Sequence, residues 1–299
     1  MSTGLRIASV AFALSCEGGL VLPHAEAAYE PFTRQSPAEY PDIRVWVRPN
    51  AHPGNEGLAM LFDGRSWTMY RDGCEYLLAL GAGGSAAPPL VGRTVARWNA
   101  GVTEASVYCG GDLLDRQNGR VKVLNPVHYP LDQIMLMHHL ASREGLLTHA
   151  AGADIDGRGL IFPGRSGAGK STLSCLLAGQ DSIRRLSDDR MIVRKLEGGY
   201  RAYGTPWPGD AGIAVNASMP LTGICFIAHG TENRIRDLSP REAVERLLPV
   251  ASIPWYDTDL LPAVLDTCDD LVASVPAYEL TFAPTTEIAA FLAAFVTKG

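Results

Sequence analysis

Residues 162–179 read FPGRSGAGKSTLSCLLAG, and within them Gly164, Gly169, Lys170 and Ser171 fit the spacing G-x-x-x-x-G-K-[ST]. Glycines at this spacing let backbone N–H groups turn inward toward phosphate oxygens, and the start of the following helix adds favourable potential. On this reading Gly164, Arg165, Ser166, Gly167, Ala168, Gly169, Lys170, Ser171 and Thr172 together cradle a nucleotide. Lys170 reaches the β- and γ-phosphates, and the Ser171 hydroxyl completes the shell of a Mg²⁺ ion. The chain has four lysines, Lys122, Lys170, Lys195 and Lys298. A chance match is on the order of one in two hundred.

The flanks supply the strand–loop–helix setting that such a loop requires. Upstream lies LLTHAAGADIDGRGLIF, two apolar runs separated by Asp156-Gly157, a strong hairpin signal. Downstream, a helix is expected from Lys170 to Leu177, with Gly179 near its end. Further on come the strand RRLS, a hairpin turned by Gly198-Gly199, and a buried strand GICFIAHG (223–230). A helix SPREAVERLL follows, with Ser239 as cap and Pro240 in its first turn. A helix around 257–272, a strand AYELTFAP and a helix TTEIAAFLAAFV close the chain. Strands alternating with helices make this half an α/β unit.

Residues 1–120 read differently. Short runs such as IRVWVRP, WTMYRDG, CEYLLAL and RTVARWN are punctuated by Gly, Pro, Asp and Asn. A small antiparallel β domain is expected, for recognition or for packing alone. GAGGSAAPP (81–89) reads as a loop without nucleotide chemistry, because no Lys or Ser/Thr follows in register. Residues 5–15, LRIASVAFALS, read as one buried strand and not as a signal peptide. NPVHYP (125–130) is the expected joint between an N-terminal domain, 1–125, and an α/β domain, 126–299. The helix after it, PLDQIMLMHHLASREG, carries His138 and His139. Adjacent helical positions point about 100° apart, so the two are read as packing or surface residues.

The formal net charge is −6, with Lys plus Arg 26 against Asp plus Glu 32. That balance excludes a broad nucleic-acid footprint and a polybasic membrane anchor. No run reaches the ~18 apolar residues of a membrane span. The six cysteines form no C-x-x-C pair, so they are read as reduced, small hydrophobes of a cytoplasmic protein. A homo-oligomer stays open.

The loop alone does not name a reaction. N-K-x-D and L-S-G-G-Q are absent from the sequence, and GICFIAHG ends at His229-Gly230 with no acid. The acids lie nearer, at Asp188 and Asp189 in RRLSDD. Adjacent carboxylates beside a triphosphate repel unless their roles differ. One can bind Mg²⁺ and the other can take a proton from an attacking hydroxyl. His149, in the strand pairing with the one that enters the loop, is placed to orient or share the proton of Asp188.

The combination LLTHAAGADIDGRGLIFPGRSGAGKSTLS…LSDDR resembles the catalytic domain of the HPr kinase/phosphorylase family. It is similar, more distantly, to the nucleotide site of ATP-dependent phosphoenolpyruvate carboxykinase. The likeness covers roughly 130–299. It implies a P-loop kinase fold, with Asp188 as general base paired to His149 and with Asp189 on Mg²⁺. The E-x-x-G-type segment of that family is missing. GTPWPGD (204–210) stands there, with Asp210 as the substitute metal ligand. The N-terminal half does not resemble that family's N-terminal domain, which points away from HPr as substrate. The variant looks more like the relatives found beside peptide-biosynthesis genes.

The expected activity is ATP- and Mg²⁺-dependent transfer of the γ-phosphoryl group to a serine or threonine hydroxyl of a peptide or small protein. Lys170, Asp188 and His149 are the expected catalytic residues, with Ser171, Asp189 and Asp210 on the metal. Two rivals differ in kind. One is a small-molecule kinase acting on free serine or another alcohol. The other is a non-enzymatic, ATP-responsive regulator.

Overall fold

A computed structural model describes residues 2–50, 58–64, 66–81, 94–109, 113–117 and 120–298. Two compact units divide the chain. The first comprises residues 1–139 together with Trp255–Asp257, and the second comprises Leu140–Pro254 and residues 258–299. The division falls later than the joint expected at 125–130. Most of GAGGSAAPP lies outside the described residues.

The first unit is built from β1 (Ser2–Ile7), β2 (Val10–Ser15), β3 (Gly19–Leu22), β4 (Thr33–Arg34), β5 (Ile43–Arg48) and β6 (Ala59–Asp63). It continues with β7 (Trp67–Asp72), β8 (Glu75–Leu80), β9 (Val95–Asn99), β10 (Glu104–Tyr108), β11 (Leu114–Gln117) and β12 (Arg120–Leu124). The helix α1 (Leu131–Ala141) follows. Among the described residues, nine strands form one sheet in the order β4-β1-β2-β5-β10-β9-β8-β7-β6, and β11-β12-β3 form a second. The sheets are mixed and not purely antiparallel, since β2 with β5, β5 with β10 and β3 with β12 run parallel.

The run 5–15 is a hairpin and not one strand. Ile7 pairs Val10, and the two residues between, Ala8 and Ser9, both have positive φ (51° and 63°). A two-residue turn of this hand suits the twist of the flanking strands, but it is usually built from Asn-Gly or Asp-Gly. The apolar run therefore gave no punctuation to read. His138 and His139 are both buried. His138 Nε2 lies 2.8 Å from the Tyr256 hydroxyl and His139 Nδ1 lies 3.1 Å from the Val102 carbonyl, so both are packing residues. The buried Asp257 carboxylate accepts a short hydrogen bond from the Tyr76 hydroxyl.

The second unit turns on two long strands. β13 (Gly145–Ile155) and β14 (Arg158–Pro163) form the Asp156-Gly157 hairpin, with φ of 50° and 83° at the turn. The helix α2 (Lys170–Leu176) follows the glycine loop. Next come β15 (Ile183–Ser187), β16 (Arg190–Leu196), β17 (Gly199–Gly204) and β18 (Ser218–His229). The remaining elements are β19 (Arg234–Asp237), α3 (Pro240–Leu247), α4 (Leu261–Ser274), β20 (Ala277–Phe282) and α5 (Glu287–Lys298). α3 starts at Ser239 with a reciprocal cap from Glu242.

β13 pairs β14 along one edge and is shared by two strands along the other. Its first half pairs β16 and its second half pairs β15. β18 does likewise, pairing β17 at its start and β20 along its end, with β14 between. The central strands are buried on both faces, as near-continuous apolar runs require. On β14, Leu160 and Phe162 pack with Leu173 of α2 and Leu292 of α5. Ile161 points the other way, into the cluster of Leu247 from α3 and Leu271 from α4. This is the period-two alternation of a strand.

All six cysteines are free. Burial pushes the thiols of Cys225 and Cys268 up to about 12 and that of Cys109 to about 11, so these three are inert at neutral pH. Among the described residues no helix is long and apolar enough to cross a membrane.

Candidate functional site

The strand pairing that shapes the second unit brings its acids to the loop. Ala150 on β13 pairs Pro163, the last residue of β14, so β14 opens into the glycine loop level with His149 and Ala150. The same stretch of β13 is where β15 hands over to β16. Gly152 pairs Ser187 and His149 pairs Arg190. Asp188 and Asp189 occupy the bend between those two strands. They are therefore delivered to the mouth of the loop by register, 18 and 19 residues after Lys170 in sequence.

The loop is held from both sides. The N–H of Gly164 donates to the carbonyl of His149 at 3.0 Å, and the N–H of Ala168 closes back on Arg165 at 3.1 Å. Gly167 and Gly169 sit at φ of 81° and 101°, a region L side chains rarely adopt, which is why the positions need glycine. The Lys170 ammonium is buried. It donates to the carbonyls of Gly164 at 2.8 Å and Arg165 at 3.1 Å, bridging the loop from beneath. Burial lowers its pKa, opposed in part by the Asp189 charge.

A cleft of about 500 Å³ opens above the loop. From the loop and α2, its walls are Ser166, Gly167, Gly169, Lys170, Ser171 and Thr172. Opposite them stand His149, Asp189, Gly209, Asp210 and His229. Gly164, Arg165 and Ala168 shape the turn without lining the cleft.

The two aspartates have different partners from those expected. His149 Nε2 lies 2.6 Å from Asp189 Oδ1, so the histidine pairs with the second acid and not with Asp188. Asp188 has no exposed surface. Its Oδ1 accepts from the N–H groups of Gly209 at 2.9 Å and Ile213 at 3.2 Å, and its Oδ2 accepts from that of Ala211 at 2.7 Å. This carboxylate is fully buried and does not line the cleft. It pins the segment 209–213, and through it Asp210, against the cleft. The approach is close: a Cβ on Gly209 would meet Asp188 Oδ2 at 2.9 Å and Asp189 Cβ at 3.0 Å.

Burial pushes the Asp189 carboxyl upward. The hydrogen bond from His149 and the charges of Arg190, His149 and Lys170 outweigh this, and its pKa ends below the usual carboxylate value. Asp189 is thus held ionised beside a cation-lined loop.

Gly209 and His229 are the cleft residues that the sequence did not single out. His229 ends β18, at the position where motor-type ATPases carry an acid. It is placed there because β18 runs parallel to β14 and ends at the same edge. Gly209 carries no chemistry in the sequence and lines the cleft only because it precedes Asp210.

The donor set suits a phosphate-bound divalent cation. Ser171 offers a hydroxyl, Asp189 and Asp210 offer carboxylates, and the glycines leave room for phosphate oxygens. Residues 111–285, more than half of the chain, match the family described as SynChlorMet cassette protein ScmC. No curated protein matches. A solved structure, that of the Hpr(Ser) kinase/phosphatase from Coxiella burnetii, is similar over 51% of this chain and 94% of that one, at 12% identity and a TM-score of 0.30.

Proposed function

This chain belongs to the ScmC family of SynChlorMet cassette proteins, and on that premise we propose that it is an ATP-dependent phosphotransferase with a hydroxyl acceptor. The observation that carries the reading is one cleft shared by a glycine loop, a buried lysine and a His–Asp pair. A loop that only bound nucleotide would need no proton acceptor facing it.

On this reading the unit is a P-loop kinase domain. The N–H groups of the loop and the Lys170 ammonium bind the β- and γ-phosphates of ATP. Ser171 and Asp210 would hold Mg²⁺, which would supply charge neutralisation when bound, leaving Asp189 to its histidine. The acceptor hydroxyl oxygen bonds to the γ-phosphorus as the bond from that phosphorus to the ADP oxygen breaks. Its proton passes to the Asp189–His149 pair, and ADP leaves with the displaced electron pair. Most of the rate comes from positioning and charge stabilisation, with the proton acceptor contributing ~10²–10⁴-fold. Asp188 acts at one remove, by fixing the segment that carries Asp210.

An aliphatic hydroxyl needs a proton acceptor and a carboxylate acceptor does not, so the pair favours a serine or threonine side chain. A peptide is the preferred carrier, since strand addition to a β-rich unit captures extended chains. Incubating the protein with γ-labelled ATP, Mg²⁺, seryl peptides and free L-serine tests both levels. Label on a peptide hydroxyl is the expected result. Nucleotide binding without transfer to any acceptor would favour an ATP-responsive regulator.

A further inference from the structure

The first unit brings together three side chains that phosphoryl transfer does not use. β3 and β12 run parallel, with Leu22 paired to Leu124. The chain leaves both strands at the same end. His24 follows one exit and His128 follows the other. The N–H of Asn125 still bonds to the carbonyl of Leu22 at 2.9 Å, so the two exits stay side by side. A second tie lies beyond them. The Tyr29 hydroxyl donates to Asp132 at 2.7 Å and accepts from the N–H of Tyr129 at 2.8 Å. Between these ties the rings of His24 and His128 stand 4.3 Å apart, centroid to centroid. Glu26 joins them, and one ligand atom from each of the three lies within 4.8 Å of the others.

We propose that His24, Glu26 and His128 form a binding site for a divalent transition-metal ion, zinc by its donor set. Two imidazoles and one carboxylate are a recognised zinc triad, with a fourth position left to water or another ligand. Bonds of about 2.0–2.2 Å set tetrahedral ligand atoms about 3.3–3.6 Å apart, so the cluster needs only small side-chain rotations to close. The N–H of Glu26 contacts His24 Nδ1 at 3.2 Å, which leaves a ring lone pair there. Binding at that nitrogen exchanges this contact for a metal bond, while the exposed Glu26 swings in without cost to the core. The bound ion clamps the two strand exits and fixes the approach to α1.

The full chain, freed of metal with EDTA, is titrated with Zn²⁺ against a chromophoric chelator, and its melting temperature is followed with and without the ion. One equivalent should bind in the micromolar range or tighter and should raise the melting temperature. His24→Ala and His128→Ala should each weaken binding at least tenfold and abolish the thermal shift. Glu26→Gln, at an exposed position, should weaken binding several-fold while leaving the metal-free melt unchanged, so it decides the matter even if a histidine variant folds poorly. No zinc uptake by the parent, or equal uptake by all three variants, would overturn the site. None of these readouts depends on nucleotide or on phosphoryl transfer.

Discussion

His149 Nε2 and Asp189 Oδ1 stand 2.6 Å apart, while Asp188, one residue earlier, accepts three backbone N–H groups and shows no surface. The two acids should therefore fail in different ways. Asp188→Asn replaces one accepting oxygen by an NH₂ that faces backbone donors. It should lower stability by ~1–3 kcal/mol, the cost of a buried group left unsatisfied, and loosen the segment 209–213. Asp189→Asn should cost less stability than Asp188→Asn and depress turnover by ~10²–10⁴-fold. Thermal melts beside steady-state kinetics separate the two. Equal loss of stability in both variants would refute the division.

The Asp189 pair also has a pH signature. Its pKa in the folded chain lies below the ordinary 3.8. A carboxyl depressed by folding contributes stability that is present above its unfolded pKa and is lost as pH falls through the folded one. The stability advantage of the parent over Asp189→Asn should therefore be constant near neutrality and shrink as pH drops below about 4. Urea denaturation at stepped pH values measures it. A difference that does not vary with pH would mean that burial cancels the His149 and Arg190 contributions.

Lys170 bridges the carbonyls of Gly164 and Arg165 and is buried at the base of the cleft. Lys170→Ala should weaken ATP binding by ~2–3 kcal/mol, the worth of a charge-assisted contact to phosphate. Calorimetry checks this directly. Unchanged affinity would mean that the loop does not hold the triphosphate.

Much of this site is legible in the sequence. The strand–loop–helix around residues 164–170 could be read because glycines were needed where φ turns positive, at Gly167 and Gly169, and Asp156-Gly157 declared its hairpin because both residues tolerate positive φ. What stayed hidden was orientation. Asp188 and Asp189 are neighbours in the chain, and nothing in two adjacent letters says which turns into the cleft. Register decides it, since His149 sits opposite Arg190 and within reach of Asp189. Ala8-Ser9 hid a turn because neither residue is a customary turn former. The parallel pairings of β5 with β2 and β10 hid for another reason, as they join strands far apart in sequence. His229 was visible as a residue and silent as a site, because only the parallel course of β18 beside β14 brings it to the loop.

The acceptor is the most exacting prediction, since it asks the fold to choose between hydroxyls of similar chemistry. The His149–Asp189 pair can serve any alcohol, so chemistry alone does not separate a seryl peptide from free serine. The first unit leans toward the peptide. Among the described strands, β6 (Ala59–Asp63) ends the nine-stranded sheet, paired only to β7. Its side chains are mostly exposed, with Met60 at 59%. An edge of this kind can take up an extended chain through backbone hydrogen bonds, with alternate side chains supplying selectivity. Free serine gains nothing from such an edge. At equal concentration, kcat/KM should be higher on a seryl peptide of eight or more residues than on L-serine, and the gain should fall as the peptide is shortened. The Met60→Lys variant should erode that gain while leaving the KM for ATP unchanged. A higher kcat/KM on free serine would overturn the peptide assignment and leave phosphoryl transfer to an alcohol standing.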